Sequence, residues 1–346
     1  MTTQASSPAG KEQADGAHSG GNARFLRVRL TIPCAPEGMS LNLPGGGNCW
    51  GGCEFVVNPP EDDPCDFWFV LGFAHDRERA FIARENTFFI GGEPPQKKVF
   101  SAGFYRQFHR VVETHAAVSH PRWELGNTCT GWLVGKSLAV SGDGSTYDVF
   151  SRMECPPKEN RIGVVCSSTA KTPGQRRRLE FLDQLKRRLG DRVVHFGRGF
   201  TPVDDKLEAI SPYRFQLVLE NSISPNYWTE KLADAYLGWG YPLYVGCPNL
   251  ERYFDRAAFQ PLNMDDVDGA VKIIEQRLAT PADERERAVL AVARERVLND
   301  YHVVMRSGRL AQQHFQPASK RLVELRHYKA FRLRDRIGRW FGLGRA

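Results

Sequence analysis

The sequence lacks the features that would place it in a membrane or carry it out of the cell. No stretch reaches the roughly 18 consecutive apolar residues of a membrane-spanning helix. The first 22 residues, MTTQASSPAGKEQADGAHSGGN, are small and polar and contain no apolar core, so they are unlike a secretory signal peptide. We therefore expect residues 1–23 to form a disordered tail and the protein to be cytoplasmic.

Cysteine and acidic clusters with metal-binding spacing are also missing. No C-x-x-C motif occurs, and Cys49 and Cys53 have no histidine near them in sequence that could complete a zinc site. The aspartate pairs at 62–63, 204–205 and 265–266 do not have the D-x-D spacing of metal-dependent transferases. The sequence therefore predicts reduced, mostly buried thiols, no metal and no disulfide.

The globular body has little net charge, although the whole chain has a formal charge of +7. Residues 320–346 contain nine Lys or Arg and two acids, so residues 1–319 are net neutral. A neutral body without a stripe of basic and aromatic side chains argues against a nucleic-acid partner. The basic character is confined to the C-terminal segment.

The N-terminal half contains candidate strands separated by loops rich in proline and glycine. FLRVRLTI (25–32) alternates like a half-buried strand, and DFWFVLGF (66–73) is apolar throughout, as in a strand covered on both faces. TFFI (87–90) and YDVF (147–150) are shorter candidates. MECPPKEN (153–160) is a candidate linker, so we predict an N-terminal domain over 24–157.

The second half alternates regularly between strands and helices. The predicted strands are 161–168, 192–196, 215–220 and 241–246, and the predicted helices are 175–190, 228–239, 266–278 and 282–300. This β-α-β rhythm indicates an α/β domain with a doubly wound parallel sheet over 158–316. Residues 317–346 are predicted to form a basic helix.

Two connections in this half concentrate polar side chains where a strand is followed by a helix. Ligands of doubly wound sheets bind beyond the carboxyl ends of the strands, and helix N-termini favour anions. In ENSISPNYWTEK (220–231), Lys231 adds a mobile positive charge and Glu230 an acceptor suited to sugar hydroxyls. In SSTAKTPGQRRR (167–178), hydroxyls precede three arginines. The two connections together could hold a diphosphate without a metal.

The segment YRFQLVLENSISPNYWTEKLADAYLGWGYPLYVGCPNLERYF (213–254) resembles the donor-binding region of glycosyltransferase family 10, the α-1,3/4-fucosyltransferases. That family's pattern is a strand ending in E-N, then Y-x-T-E-K, a helix, and a P-[IVL]-x-x-G strand and turn. The matching positions are Glu220, Asn221, Tyr227, Thr229, Glu230, Lys231, Pro242 and Gly246.

Two upstream segments extend the resemblance. HFGRGF (195–200) is similar to a family strand end and places a donor-binding residue at Arg198, and Arg178 matches the phosphate-contacting arginine, with Arg176 and Arg177 as rivals. FFIGGEPP (88–95) resembles the segment with the family's proposed catalytic carboxylate, which would be Glu93. Glu85 and Glu113 are the alternatives for that carboxylate.

The resemblance implies the GT-B arrangement, in which two Rossmann-like domains face each other across a cleft. It implies GDP-fucose as donor and the N-terminal domain, residues 24–157, as the acceptor side. Arg178 and Lys231 would bind the diphosphate. The nucleotide and its ribose would be positioned by Asn221, Tyr227 and Glu230. Fucose would be transferred with inversion to a hydroxyl of a glycan or glycolipid, without a cofactor. The absence of an anchor suggests a bacterial relative, with residues 318–346 as a peripheral contact to the inner face of an anionic membrane. The rivals are another nucleotide sugar on the same fold, or a catalytically silent glycan-binding protein.

Overall fold

The computed structural model describes residues 24–33, 35, 39–128, 131–135 and 146–331. Within these ranges the chain builds two α/β domains, each organised around its own, mostly parallel sheet. The expectation of two α/β domains with a parallel sheet in the second is confirmed. In the part of the chain that is described, no helix combines the length and the apolar character needed to cross a membrane.

The first domain has a sheet of seven described strands in the order β2-β3-β1-β4-β6-β7-β8. The strands are β1 (Leu26–Thr31), β2 (Cys49–Trp50), β3 (Cys53–Val57), β4 (Phe67–Leu71), β6 (Thr87–Ile90), β7 (Arg110–Glu113) and β8 (Trp123–Leu125). All neighbours pair in parallel except β2 and β3. Phe67 and Phe69 of β4 pack in one core cluster and Trp68 and Val70 in another, which explains why this strand is apolar throughout.

The second domain has a parallel sheet of five described strands in the order β10-β9-β11-β12-β13. The strands are β9 (Glu159–Val165), β10 (Val193–Phe196), β11 (Tyr213–Leu219), β12 (Tyr241–Val245) and β13 (Gln260–Pro261). The helices between and after them are α3 (Pro173–Leu189), α4 (Lys206–Ile210), α5 (Glu230–Leu237), α6 (Val267–Ala279) and α7 (Glu284–Asn299). The strand order reverses direction between β9 and β11, so a crevice opens beyond the carboxyl ends of these two strands.

The chain then returns to the first domain, which departs from the predicted domain limit at residue 316. Helix α8 (Val303–His314) inserts Val304, Met305, Leu310 and Ala311 into the core cluster that contains Phe67. The buried positions of this helix, which include Ser307 and Gly308, recur every three or four residues, so one face covers the first sheet. The second domain therefore ends before α8.

The prediction of a helix over 317–346 is wrong for residues 321–326, which form strand β14 (Arg321–Arg326). This strand pairs antiparallel with β5 (Arg77–Ile82) of the first domain. RLVELR alternates with a period of two, and this alternation buries Val323 and Leu325 in a core cluster while Leu322 stays exposed. Residues 332–346 lie outside the described ranges.

The candidate strand at 147–150 is also corrected, because residues 146–152 form helix α2 (Thr146–Arg152). Tyr147 and Phe150 are three residues apart and therefore lie on the same side of a helix, where both pack on the core of the second domain. A run of only four residues fits one helical turn as well as a short strand. The short helix α1 (Ala102–Tyr105) belongs to the first domain. Its Phe104 and Tyr105 pack in the core cluster that contains Trp68.

Candidate active site

The predicted site lies where the strand order of the second sheet reverses. Residues 166–172 follow β9, residues 220–229 follow β11, and the N-termini of α3 and α5 close the two connections. Gly174 in the first turn of α3 packs directly on residues 220–229, which we name the donor-side loop. An added Cβ at Gly174 would lie 2.2 Å from the carbonyl oxygen of Asn221. Glycine at this position lets the helix start approach Asn221.

The structure separates the three consecutive arginines of α3. Arg178 is 6% exposed and lies on the same helix face as Phe181, Leu182 and Leu185. Its Nη1 donates a 2.7 Å hydrogen bond to Oδ1 of Asn221, and its Nε has no hydrogen-bond partner. No carboxylate in the described part of the chain forms an ion pair with Arg178. The site thus contains a buried cation without a counter-ion.

Arg176 and Arg177 point elsewhere. Arg176 donates to the carbonyl oxygens of Ala170 and Lys171 at 3.2 and 3.4 Å, which stabilises the loop before the helix. Arg177 lines the mouth of the cleft and forms an ion pair with Asp265. Among the three candidates, Arg178 alone has a buried guanidinium directed at Asn221.

Glu220 organises the loop between β11 and α5. Its side chain is buried, and its carboxylate accepts bonds from the backbone N–H of Thr229 at 2.8 Å and from the Thr229 hydroxyl at 2.8 and 3.0 Å. Thr229 is also the N-cap of α5. Burial raises the pKa of Glu220. These bonds hold the end of the loop, at Thr229, against its beginning at Glu220, directly after β11.

Lys231 and Glu230 form an ion pair at the start of α5. Lys231 Nζ lies 3.0 Å from Oε1 of Glu230, 3.1 Å from the Thr229 hydroxyl and 3.5 Å from Oε2 of Glu220. Burial lowers the pKa of Lys231, but the carboxylates of Glu220 and Glu230 outweigh burial and raise it. The Arg178 guanidinium acts on Lys231 in the opposite direction, so the two cations lie within electrostatic range of each other.

Lys206 is a further cation that the sequence analysis did not select. Burial raises the pKa of Glu230, but Lys231 and Lys206 outweigh burial and lower it. Lys206 Nζ is bound to Oδ2 of the buried Asp234 at 2.7 Å. Its position at the start of α4, after a connection that follows β10, is the signal that could have identified it.

Tyr227 faces a cavity of about 580 Å³ that both domains line. The second domain contributes Arg177, Asn221 and Tyr227, and the first contributes Gln96 and Lys97. Tyr227 is 9% exposed, and its hydroxyl has no hydrogen-bond partner in the described residues. Burial raises the pKa of Tyr227, and the negative charges of Glu220 and Glu93 raise it further. Glu93 lies next to this cavity, because it forms an ion pair with Lys97, which lines it.

Glu93 lies in the loop that follows β6, at the edge of the first sheet that faces the cleft. Its Oε1 accepts a 2.5 Å hydrogen bond from Nζ of Lys97, four residues later, and about a third of its side chain is exposed. The carboxylate is therefore accessible to a ligand. Lys97 neutralises its charge.

The two alternatives to Glu93 differ sharply in position. Glu85 precedes β6, so the four-residue strand separates it from the cleft edge by about 13 Å. Glu113 ends β7, the parallel neighbour of β6, and therefore lies at the same edge as Glu93. Glu113 is only 1% exposed, however, and does not open into the cleft.

The carboxylate of Glu113 lies beneath the turn that leads to Glu93. A Cβ on Gly91 would come within 2.1 Å of Oε2 of Glu113, so this turn requires glycine. Oε1 accepts a 3.0 Å hydrogen bond from the Tyr105 hydroxyl. Oε2 has no hydrogen-bond partner among the described residues and lies 3.7 Å from Nε2 of His115. Burial raises the pKa of Glu113 to about 7.

Arg198 and His195 are not brought into the cavity. Arg198 is exposed in the turn after β10, where its backbone carbonyl accepts from Ser168 N at 3.0 Å. His195 is buried, and one ring nitrogen lies 2.8 Å from the carbonyl oxygen of Cys166. Burial lowers the pKa of His195. The histidine thus serves the packing of the edge strand.

Other candidate sites carry less chemistry. A cavity of about 730 Å³ lies near the amino ends of β9 and β11, and two of its cations already have partners. There Lys158 donates to two backbone carbonyls, and Arg214 forms an ion pair with Glu286 at 2.8 Å. In the described ranges no three His, Cys, Asp or Glu side chains are grouped as a metal site.

Two α/β domains, each built on a mostly parallel sheet and lining one cleft, form the GT-B architecture. Residues 156–279 match the family model described as glycosyltransferase family 10 (fucosyltransferase), C-terminal part. The resemblance found in the sequence is confirmed over this part of the chain.

Curated relatives match over the same kind of segment. An α-(1,3)-fucosyltransferase of Helicobacter pylori is 28% identical over 106 residues, which is 31% of this chain and 22% of that protein. A human 4-galactosyl-N-acetylglucosaminide 3-α-L-fucosyltransferase is 34% identical over 94 residues, or 26% of this chain and 25% of that protein. The chain thus spans about a quarter of the length of these relatives.

A solved structure is similar over a larger share of the chain. The crystal structure of an α1,3-fucosyltransferase with GDP-fucose aligns with 85% of this chain and 96% of that one. The sequence identity is 17% and the TM-score is 0.44.

Proposed function

We propose that the protein transfers fucose from GDP-fucose to a hydroxyl of a glycan or glycolipid acceptor. The observation that carries the proposal is the buried guanidinium of Arg178, which among the described residues has an amide but no carboxylate as its partner. A buried charge without a counter-ion is costly, and an anionic ligand would remove that cost. A diphosphate at the adjacent helix N-terminus meets this requirement.

The donor would be held mainly by the second domain. Arg178 and Lys231 would bind the diphosphate, and Asn221 would aim the Arg178 guanidinium through the bond to its Oδ1. Tyr227 offers a hydroxyl on the cavity wall that has no partner in the described part of the chain, and Glu230 could accept from the ribose once the diphosphate attracts Lys231. The exposed side chain of Arg198 has no contact with these residues in the described part of the chain, so its donor-binding role stays a prediction.

Transfer would proceed with inversion, without a metal. Glu93 would take the proton of the acceptor hydroxyl while that oxygen forms the new bond to the anomeric carbon of fucose. The bond from this carbon to the β-phosphate oxygen breaks, and GDP leaves with the bonding electrons. Arg178 and Lys231 would stabilise the charge that develops on the leaving diphosphate. Lys97 would have to release Glu93 before the proton moves.

The donor hypothesis is tested by calorimetry with GDP, UDP and ADP, each with and without EDTA. We expect GDP to bind most tightly and EDTA to change little. Tighter binding of UDP would indicate another nucleotide sugar on the same fold, and an absolute need for a divalent ion would contradict the proposed charge compensation.

Transfer itself is tested by release of GDP from GDP-fucose with a panel of oligosaccharide acceptors. Acceptor-dependent release, with the product linkage determined by NMR, would establish the reaction. Binding of GDP and of glycans without release on any acceptor would instead indicate a catalytically silent glycan-binding protein.

We also propose that the segment after residue 331 attaches the protein to the inner face of an anionic membrane. Residues 332–346 contain five arginines and one aspartate, together with Trp340 and Phe341. Aromatic side chains beside arginines suit an interface with anionic lipids. This attachment would bring a cytoplasmic enzyme close to a glycolipid acceptor.

A further inference from the structure

A buried asparagine joins the two walls of the cleft. Asn226 immediately precedes Tyr227 in the donor-side loop and is 2% exposed. Its φ is 59°, in the left-handed region that asparagine tolerates better than most residues with a side chain. The backbone at this point is therefore held in one defined conformation, and Tyr227 follows directly from it.

The side chain of Asn226 contacts the first domain. Its Nδ2 donates a 3.1 Å hydrogen bond to the carbonyl oxygen of Thr114, just beyond the end of β7. The hydroxyl of the same Thr114 lies 3.5 Å from the carbonyl oxygen of Glu93. One residue thus contacts both the loop of the proposed base and the loop of the proposed donor site.

A second link runs in the other direction. Asn127, which follows the last strand of the first sheet, donates through Nδ2 to the carbonyl oxygens of Asn226 and Trp228 at 3.2 and 3.0 Å. Within the second domain, Oδ1 of Asn226 accepts from the Tyr253 hydroxyl at 2.7 Å and from Asn249 Nδ2 at 3.0 Å. A satisfied, buried network of this kind is rigid, because a displaced member would leave an unpaired polar group.

We infer that Asn226 is a positioning residue, which sets the separation between Glu93 on one wall of the cleft and Tyr227 on the other. The inference rests on the proposed function for its catalytic consequence. Transfer requires the acceptor hydroxyl, bound near Glu93, to meet a donor held by the second domain within bonding geometry. A misplacement of about 1 Å can cost on the order of 10² in rate.

The first test uses hydrogen exchange and does not depend on activity. Asn226→Gly removes the bridging side chain, and glycine accepts the left-handed backbone. We expect faster exchange in the donor-side loop and also across the domain boundary, at residues 91–98 and 113–115. Faster exchange confined to residues 221–229 would overturn the inference, because Asn226 would then order only its own loop.

Asn86→Ala is the matched control. Asn86 is also a buried amide with two backbone hydrogen bonds, to Gln316 at 3.0 and 2.9 Å, but it lies at the edge of the first sheet away from the cleft. It should lower the melting temperature without changing exchange at 113–115 or turnover. If Asn226→Gly does not fold, Asn127→Ala breaks the second link, and we expect it to produce the same exchange pattern.

The second test separates turnover from donor binding. We expect Asn226→Gly to lower kcat on the order of 10² while the Kd for GDP stays within about threefold. An unchanged kcat, or equal losses in kcat and GDP affinity, would overturn the inference. If the wild-type protein transfers no fucose, the proposed function fails, and the exchange experiment still decides whether Asn226 joins the walls.

Discussion

Replacing Arg178 by methionine should change folding stability and nucleotide binding in opposite directions. The guanidinium is 6% exposed and bonds Asn221, so this buried charge has no counter-ion among the residues that the structure describes. Methionine has a similar length, fits beside Phe181 and Leu182, and removes that charge. The Asn221 oxygen that loses its donor is half-buried and can bond to water.

The two magnitudes follow from the same contact. Replacing a buried, unpaired charge by an apolar side chain is often neutral or stabilising, by up to a few kcal/mol. A hydrogen bond to a charged group contributes about 1.5–3 kcal/mol. At about 1.4 kcal/mol for a factor of ten, this predicts a roughly 10- to 150-fold weaker Kd for GDP.

Thermal unfolding without ligand and titration calorimetry with GDP measure the two effects. Arg176→Met is the control, because Arg176 is exposed and bonds only loop carbonyls; it should leave GDP affinity within about twofold. GDP binding that survives Arg178→Met unchanged would refute the assignment of this residue to the diphosphate. A large loss of stability without ligand would refute the view that its charge is uncompensated.

Glu93→Gln should lower kcat by at least about 10² and keep the Kd for GDP within about twofold, because only proton removal is lost. Near-normal turnover would show that another residue is the base. The pKa of Glu113, raised by burial to about 7, means that the folded protein binds this proton more tightly than the unfolded chain. Stability should therefore fall as pH rises from about 4.5 to 7, by up to roughly 3 kcal/mol, and urea titrations of Glu113→Gln should lack this slope. Deleting 332–346 should abolish sedimentation with anionic vesicles and leave the fold intact, whereas deleting 318–346 also removes buried Val323 and Leu325 and should cost roughly 3–6 kcal/mol. Unchanged sedimentation of the shorter deletion would contradict membrane attachment.

The second domain was predictable because its signals are local. Strands of apolar residues alternate with helices whose apolar face repeats every three or four positions, and the predicted and observed elements differ by only a few residues at their ends. The inward arginine could also have been identified. Arg178 extends the stripe formed by Phe181, Leu182, Leu185 and Leu189, whereas Arg176 and Arg177 lie off that face.

The errors lie where the decisive partner is distant in sequence. RLVELR is a strand because β5 lies about 240 residues earlier, and no local pattern indicates that partner. The same limit concealed Asn226, whose donor bond ends on Thr114, 112 residues away. Glu220 was recognised as part of a motif. Its hydrogen bond from Thr229 could not be predicted, because it depends on the conformation of the loop between them.

The pairing of β14 with β5 has a consequence for how the protein is made. The sheet of the second domain is built from a continuous segment, residues 159–261, and can form as soon as that segment has left the ribosome. The first domain, although synthesised earlier, waits for α8 and for β14 before its two core clusters close. Until then the apolar faces around Phe67 and Trp68 are incompletely covered, so the domain translated first is the last to become native and the one most exposed to chaperones and to aggregation.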